Sequence, residues 1–158
     1  VLDADHLRLM EGGALIVGVT LDDGSPYATR AWGLRVEDPD PDRGCLAVVQ
    51  VLLAADDRTG IEGGAPGRAV AVTAADVLTL VSAQFKGTSL GTAPATEQDL
   101  AVSERYFAGF SEAVARSDGQ PPELLARLVP HELVRCTVEV HEAYDQTPGP
   151  GAGQELDR

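Results

Sequence analysis

Ala14-Leu15-Ile16-Val17-Gly18-Val19-Thr20-Leu21-Asp22-Asp23-Gly24-Ser25-Pro26-Tyr27-Ala28-Thr29-Arg30-Ala31-Trp32-Gly33-Leu34 is the stretch that decides the fold. Ala14 to Leu21 reads as an apolar strand, and Asp22-Asp23-Gly24-Ser25-Pro26 collects the residues that favour a tight turn. Tyr27 to Val36 then reads as a second strand, so the chain opens its sheet with an antiparallel hairpin.

Working outward, Asp3 to Glu11 reads as a short helix stopped by Gly12-Gly13, with Leu7 and Met10 turned onto the sheet. Downstream, Glu37 to Gly44 is an acidic, proline-bearing turn, and Cys45 to Leu53 is a third, strongly apolar strand. Ala54 to Gly67 reads as a loop with one helical turn, because its glycines and Pro66 stop anything longer. Arg68 to Thr73 and Val81 to Ser89 supply strands four and five. From Glu97 to Arg116 apolar residues recur at helical spacing, which puts Leu100, Tyr106, Phe107, Phe110 and Val114 on one face. Pro121-Pro122 starts a second short helix through Leu128, and His131 to Tyr144 is the last strand. The pattern predicts a mainly β, α+β domain over residues 1–145. Its architecture is a six-stranded antiparallel barrel with flanking helices, followed by a Pro/Gly-rich tail over 146–158.

Composition narrows the function. A single domain fits 158 residues, and a net charge of −13 argues against nucleic acid or an anionic membrane surface as partner. Cys45 and Cys136 lie in separate apolar runs and read as two free thiols. No leader pattern or membrane-length apolar run is present, so a soluble cytoplasmic protein is expected. His6, His131 and His141 are too dispersed for a metal cluster. No GxSxG elbow, Walker lysine or GxGxxG register supports hydrolase or nucleotide-cradling chemistry.

The one lysine of the chain, Lys86, stands in Val81-Ser82-Ala83-Gln84-Phe85-Lys86-Gly87. Every other basic side chain is an arginine and asparagine is absent, the habit of a GC-rich coding sequence, so a retained lysine draws attention. Alternation puts Ser82, Gln84 and Lys86 on one strand face and Val81, Ala83 and Phe85 on the other. Such a polar ladder either lines a ligand site or is the solvated side of a half-buried strand.

The order of elements, the 14–34 hairpin, Gly67-Arg68-Ala69-Val70-Ala71-Val72-Thr73, Ser82 to Gly87 and the tail from Tyr144 to Gly153 together resemble the pyridoxamine 5′-phosphate oxidase-like family of flavin-binding split barrels. The resemblance covers nearly the whole chain. It implies a homodimer that binds FMN, or in some branches a deazaflavin coenzyme or haem, and a small molecule in a cleft between subunits. It matches Ser82 and Gly87 to the strand-five motif, places Gln84 and Lys86 on the same face, and sets Thr29, Arg30 and Trp32 beside cofactor and substrate. Arg30, Trp32, Ser82, Gln84 and Lys86 are therefore the cofactor-binding candidates. If the protein is an enzyme, the cofactor does the chemistry by hydride or electron transfer. If haem is bound instead, His131 or His141 is the axial candidate, both projecting from one face of a regular strand.

The sequence departs from the family where a basic, hydroxyl-bearing cluster usually follows the third strand. Here that stretch is Ala54-Ala55-Asp56-Asp57-Arg58-Thr59, and two carboxylates beside a phosphate are repulsive. Arg30 or Arg68 could take the phosphate from elsewhere. Otherwise the chain is a cofactor-free or small-ligand-binding dimeric module. Gln146 and Thr147 are the tail's polar candidates for contacts over a partner's cleft.

Overall fold

The computed structural model describes residues 2–37 and 44–156. The acidic turn expected between the second and third strands falls largely on residues 38–43, outside the described residues. Ten elements follow in order: α1 (Ala4–Gly12), β1 (Ala14–Thr20), β2 (Pro26–Glu37), β3 (Ala47–Ala54), α2 (Arg58–Gly63), β4 (Ala69–Ala75), β5 (Ser82–Pro94), α3 (Glu97–Asp118), α4 (Pro122–Ala126) and β6 (Leu133–Asp145). The six strands close into an antiparallel barrel in the order β1-β2-β3-β6-β5-β4. This is the expected fold class.

The period-2 pattern sets which residues face the barrel interior. Val17, Val72, Phe85 and Ala143 pair across four strands and are buried, while their chain neighbours face out. β3 is buried on both faces apart from its last residue, as its apolar run requires, and its one polar residue, Gln50, accepts the Thr137 hydroxyl at 2.7 Å. α3 lies against β2. Asp57 caps α2, and Gly63 and Gly64 let that short helix press on the barrel wall. A Cβ on Gly63 would lie 2.2 Å from a Val19 methyl.

Four sequence expectations are corrected. Leu100 is 45% exposed, because α3 turns Asp99, Val102, Ser103, Tyr106, Phe110 and Val114 inward instead. Asp99 is drawn in by Thr96, whose N–H and hydroxyl both donate to its carboxylate at 2.8 Å, and by Arg135 at 3.5 Å. Val81 lies outside β5 and is 49% exposed, since the chain reaches the strand through Leu80 in the left-handed region at φ 63°. In α1, Met10 is buried as expected, but Leu9 rather than Leu7 packs on the core. Finally, β6 starts at Leu133, which leaves His131 outside it. The register against β5 slips between Val140 and Glu142, so a bulge at His141 reverses the alternation and the two histidines share no regular strand face.

The tail is more ordered than its composition suggests. It turns back so that Asp145 N–H donates to Gln154 O, Leu156 N–H donates to Ala143 O, and Tyr144 bridges Glu155. Both thiols are free, and burial raises the pKa of Cys136. Among the described residues no helix is long and apolar enough to cross a membrane.

Candidate functional site

The cofactor-binding residues singled out from the sequence lie on the barrel wall that runs from β2 through β1 and β4 to β5 and β6. Two rows of outward residues cross it: Arg30–Ile16–Thr73–Gln84–Tyr144, and beside it Ala28–Gly18–Ala71–Lys86–Glu142. Three strand spacings separate Arg30 from Gln84, about 14 Å. Along the second row runs a trough of about 490 Å³, whose lining includes Gly18, Ala28, Ala71, Lys86 and Gly87.

At the β5–β6 end of the rows, Gln84 Nε2 donates to Thr73 Oγ1 at 3.2 Å, and Lys86 Nζ stands 4.4 Å from the Tyr144 ring centroid. Tyr144 donates its hydroxyl to Glu142 at 2.6 Å, and this bond raises the phenol's pKa. Tyr144 and Glu142 were not singled out from sequence. Their signal is the bulge at His141, which brings both onto the outer face and which no residue pattern announces.

At the other end, the Arg30 guanidinium lies 4.7 Å from the Trp32 ring centroid and 4.2 Å from that of Phe110 on α3. Trp32 is 7% exposed, and its carbonyl accepts the Ser103 hydroxyl at 2.6 Å. Tyr106 stacks on Phe110 at 5.9 Å, and burial raises its pKa while the charge of Arg30 works the other way. Arg30 Nε is buried without a hydrogen-bond acceptor, and among the described residues no carboxylate pairs with Arg30. Phe110 is legible in the sequence as a core residue of an amphipathic helix, but its place over Arg30 is not.

The structure thus brings Gln84 and Lys86 together and leaves Arg30 and Trp32 at the far edge of the same face. Ser82 is turned to local work. Its hydroxyl donates to Leu80 O at 3.3 Å, while its N–H donates to Thr147 Oγ1 at 3.1 Å and its carbonyl accepts Gln146 N–H at 2.8 Å. Gln146 and Thr147 therefore bind their own chain.

The acidic stretch after β3 also has a local explanation. Asp57 Oδ1 accepts the Gly60 N–H and the Tyr27 hydroxyl, both at 3.0 Å. Burial pushes the Asp57 pKa up, but the neighbouring Thr29 hydroxyl and these two donors outweigh it and hold the carboxyl below its ordinary value. Arg68 pairs with Asp22, so its charge is already compensated. His131 is exposed next to Asp56 and Glu132 at a separate small cavity, and no cluster of three metal-ligating side chains exists among the described residues.

Comparison with known proteins comes down to architecture. No family model and no curated protein matches the sequence. Solved structures do match. HupZ of Group A Streptococcus superposes with a TM-score of 0.57 at 14% identity, over 97% of this chain and 100% of its own. An F420 reductase gives 0.55 at 14% identity, over 90% and 98%. A candidate pyridoxamine 5′-phosphate oxidase from Lactobacillus delbrueckii gives 0.50 at 17% identity, over 90% and 93%. What these share with this chain is the fold. The protein has a closed six-stranded split-barrel fold, the architecture that these solved structures share.

Proposed function

We propose that the protein is a flavin-type redox protein that works as a homodimer and takes a phosphorylated flavin or deazaflavin coenzyme, with a small-molecule substrate, in a cleft between two copies. The observation that carries this reading is Arg30: a cation fixed between two rings, with a buried Nε and no carboxylate partner among the described residues, in a chain of net charge −13. Carboxylates are abundant in this sequence, so an arginine left without one is suited to an anion from outside the chain.

The residues fit such a coenzyme in two parts. Arg30, steadied by Trp32 and Phe110, would hold the phosphate. Gln84 and Lys86 would supply polar contacts to the ring. A bound flavin supplies hydride or electron transfer, and the chain's own share is binding and orientation. Lys86 places a positive charge on the outer face, where it favours negative charge on a reduced ring. The F420 reductase and the pyridoxamine 5′-phosphate oxidase candidate that share the fold support a coenzyme of this class by analogy. Asp57 caps α2, which gives a local reason for one of the two carboxylates that speak for a cofactor-free module.

Titrating the protein with FMN and with the deazaflavin coenzyme, read by coenzyme fluorescence, tests the proposal. Arg30→Gln is expected to weaken binding about tenfold or more, the worth of a charge-assisted hydrogen bond. A folded wild-type protein that binds neither coenzyme, or an Arg30→Gln variant that binds like wild type, would overturn it.

A further inference from the structure

Gly18 sits in the middle of β1, where a glycine costs roughly 0.5–1 kcal/mol relative to alanine. Its own chain gives no reason for it. The backbone there is not in the left-handed region, and a Cβ would meet nothing closer than Ala71 O at 3.9 Å. The missing side chain opens outward, into the trough shared with Ala28 and Ala71. On the same strand and the same face, with one residue between, Ile16 projects 49% exposed. A vacancy and an apolar projection thus stand side by side on one strand.

That pair is self-complementary. When two copies pack face to face about a twofold axis passing near Val17, the Ile16 of each copy lies over the Gly18 of the other. Charge favours this face for self-association. Its two rows carry Arg30, Lys86 and Glu142, so they are close to neutral, whereas the chain as a whole carries −13 and repels its own kind elsewhere.

We infer that a second copy of this chain docks on the outer face of β1, β4 and β5, and that Ile16 of each copy fills the trough above Gly18 of the other. This rests on the homodimer reading above and adds the register and the residues that set it.

Sedimentation equilibrium of the full chain tests it, with thermal melts confirming that each variant is folded. The set is wild type, Ile16→Ala, Gly18→Ile, the double variant Ile16→Ala/Gly18→Ile, and Gly18→Ala as a gentler filling of the trough. Wild type is expected to be a dimer. Ile16→Ala removes the projection and Gly18→Ile sets two projections against each other, so each should raise the dimer Kd about tenfold or more. Gly18→Ala should raise it less. The double variant exchanges projection and vacancy, and the same twofold axis makes them complementary again, so its Kd should return toward wild type. A dimer unaffected by the single variants, or a double variant no better than the worse single, overturns this inference and leaves the intersubunit cleft standing. A wild-type protein that stays monomeric or recruits a different protein to this face overturns both. If Gly18→Ile does not fold, an unchanged Kd for Ile16→Ala and Gly18→Ala decides against the inference.

Discussion

At the scale of single residues, neighbours in space decide what a charge is for, and neighbours in sequence do not. Asp57 reads in the sequence as a carboxylate hostile to phosphate, yet it accepts from Tyr27 and from the first turn of α2. Asp57→Ala is expected to cost about 1–2 kcal/mol at neutral pH, the usual worth of an N-cap. Because the folded-state pKa is lowered, this contribution is fully present above the unfolded value near 3.8 and is lost as the pH falls through the lower folded value. The melting temperatures of wild type and variant should therefore converge below about pH 3.8, which a pH series of thermal melts measures. Lys86 makes the opposite case, since its exposed position on the polar face follows from strand alternation alone. Lys86→Met should keep the fold and lower the rate of coenzyme reduction in a stopped-flow assay. An unchanged rate would remove Lys86 from the reaction.

Among elements, α3 shows best how a helix is tied to the barrel. Thr96 and Asp99 form a capping box, and Gly119 ends the helix at φ 68°. Asp99 is 1% exposed and is flanked by Arg135 at 3.5 Å and Arg35 at 3.9 Å, so one carboxylate caps the helix and pins it to β6 and β2. Asp99→Ala should destabilise the protein by about 2 kcal/mol or more, read by denaturant unfolding, because it removes the cap and leaves two arginines without that partner. The inward turn of Asp99 was not legible in the sequence, and the expected burial of Leu100 failed with it. Apolar periodicity cannot show that a charged residue will be drawn inside by cations from distant strands. The tail behaves similarly. Its prolines and glycines gave no sign that Thr147 would bond to both the N–H and the carbonyl of Ser82. Thr147→Val should speed hydrogen exchange at the Ser82 amide without changing global stability by more than about 1 kcal/mol.

On the scale of the whole molecule, the barrel was readable because β-strands with one buried face write their register into the sequence. The ladder Val17–Val72–Phe85–Ala143 is that period made visible. What stayed hidden lies where the period breaks: the left-handed Leu80 before β5 and the bulge at His141, each set by tertiary geometry. The candidate site divides in the same way. Gln84 and Lys86 follow from alternation, and Arg30 from the family resemblance. The rings over Arg30 and the pair Tyr144–Glu142 depend on how helix and bulge close around the sheet. The central claim is that this face, doubled, holds a flavin-type coenzyme. Its most direct test is size-exclusion chromatography of protein incubated with FMN, the deazaflavin coenzyme or haem in turn, with absorbance and light scattering recorded on the same peak. The account predicts a flavin or deazaflavin band co-eluting with a dimer. A Soret band, a folded dimer carrying no chromophore, or a monomer would contradict it.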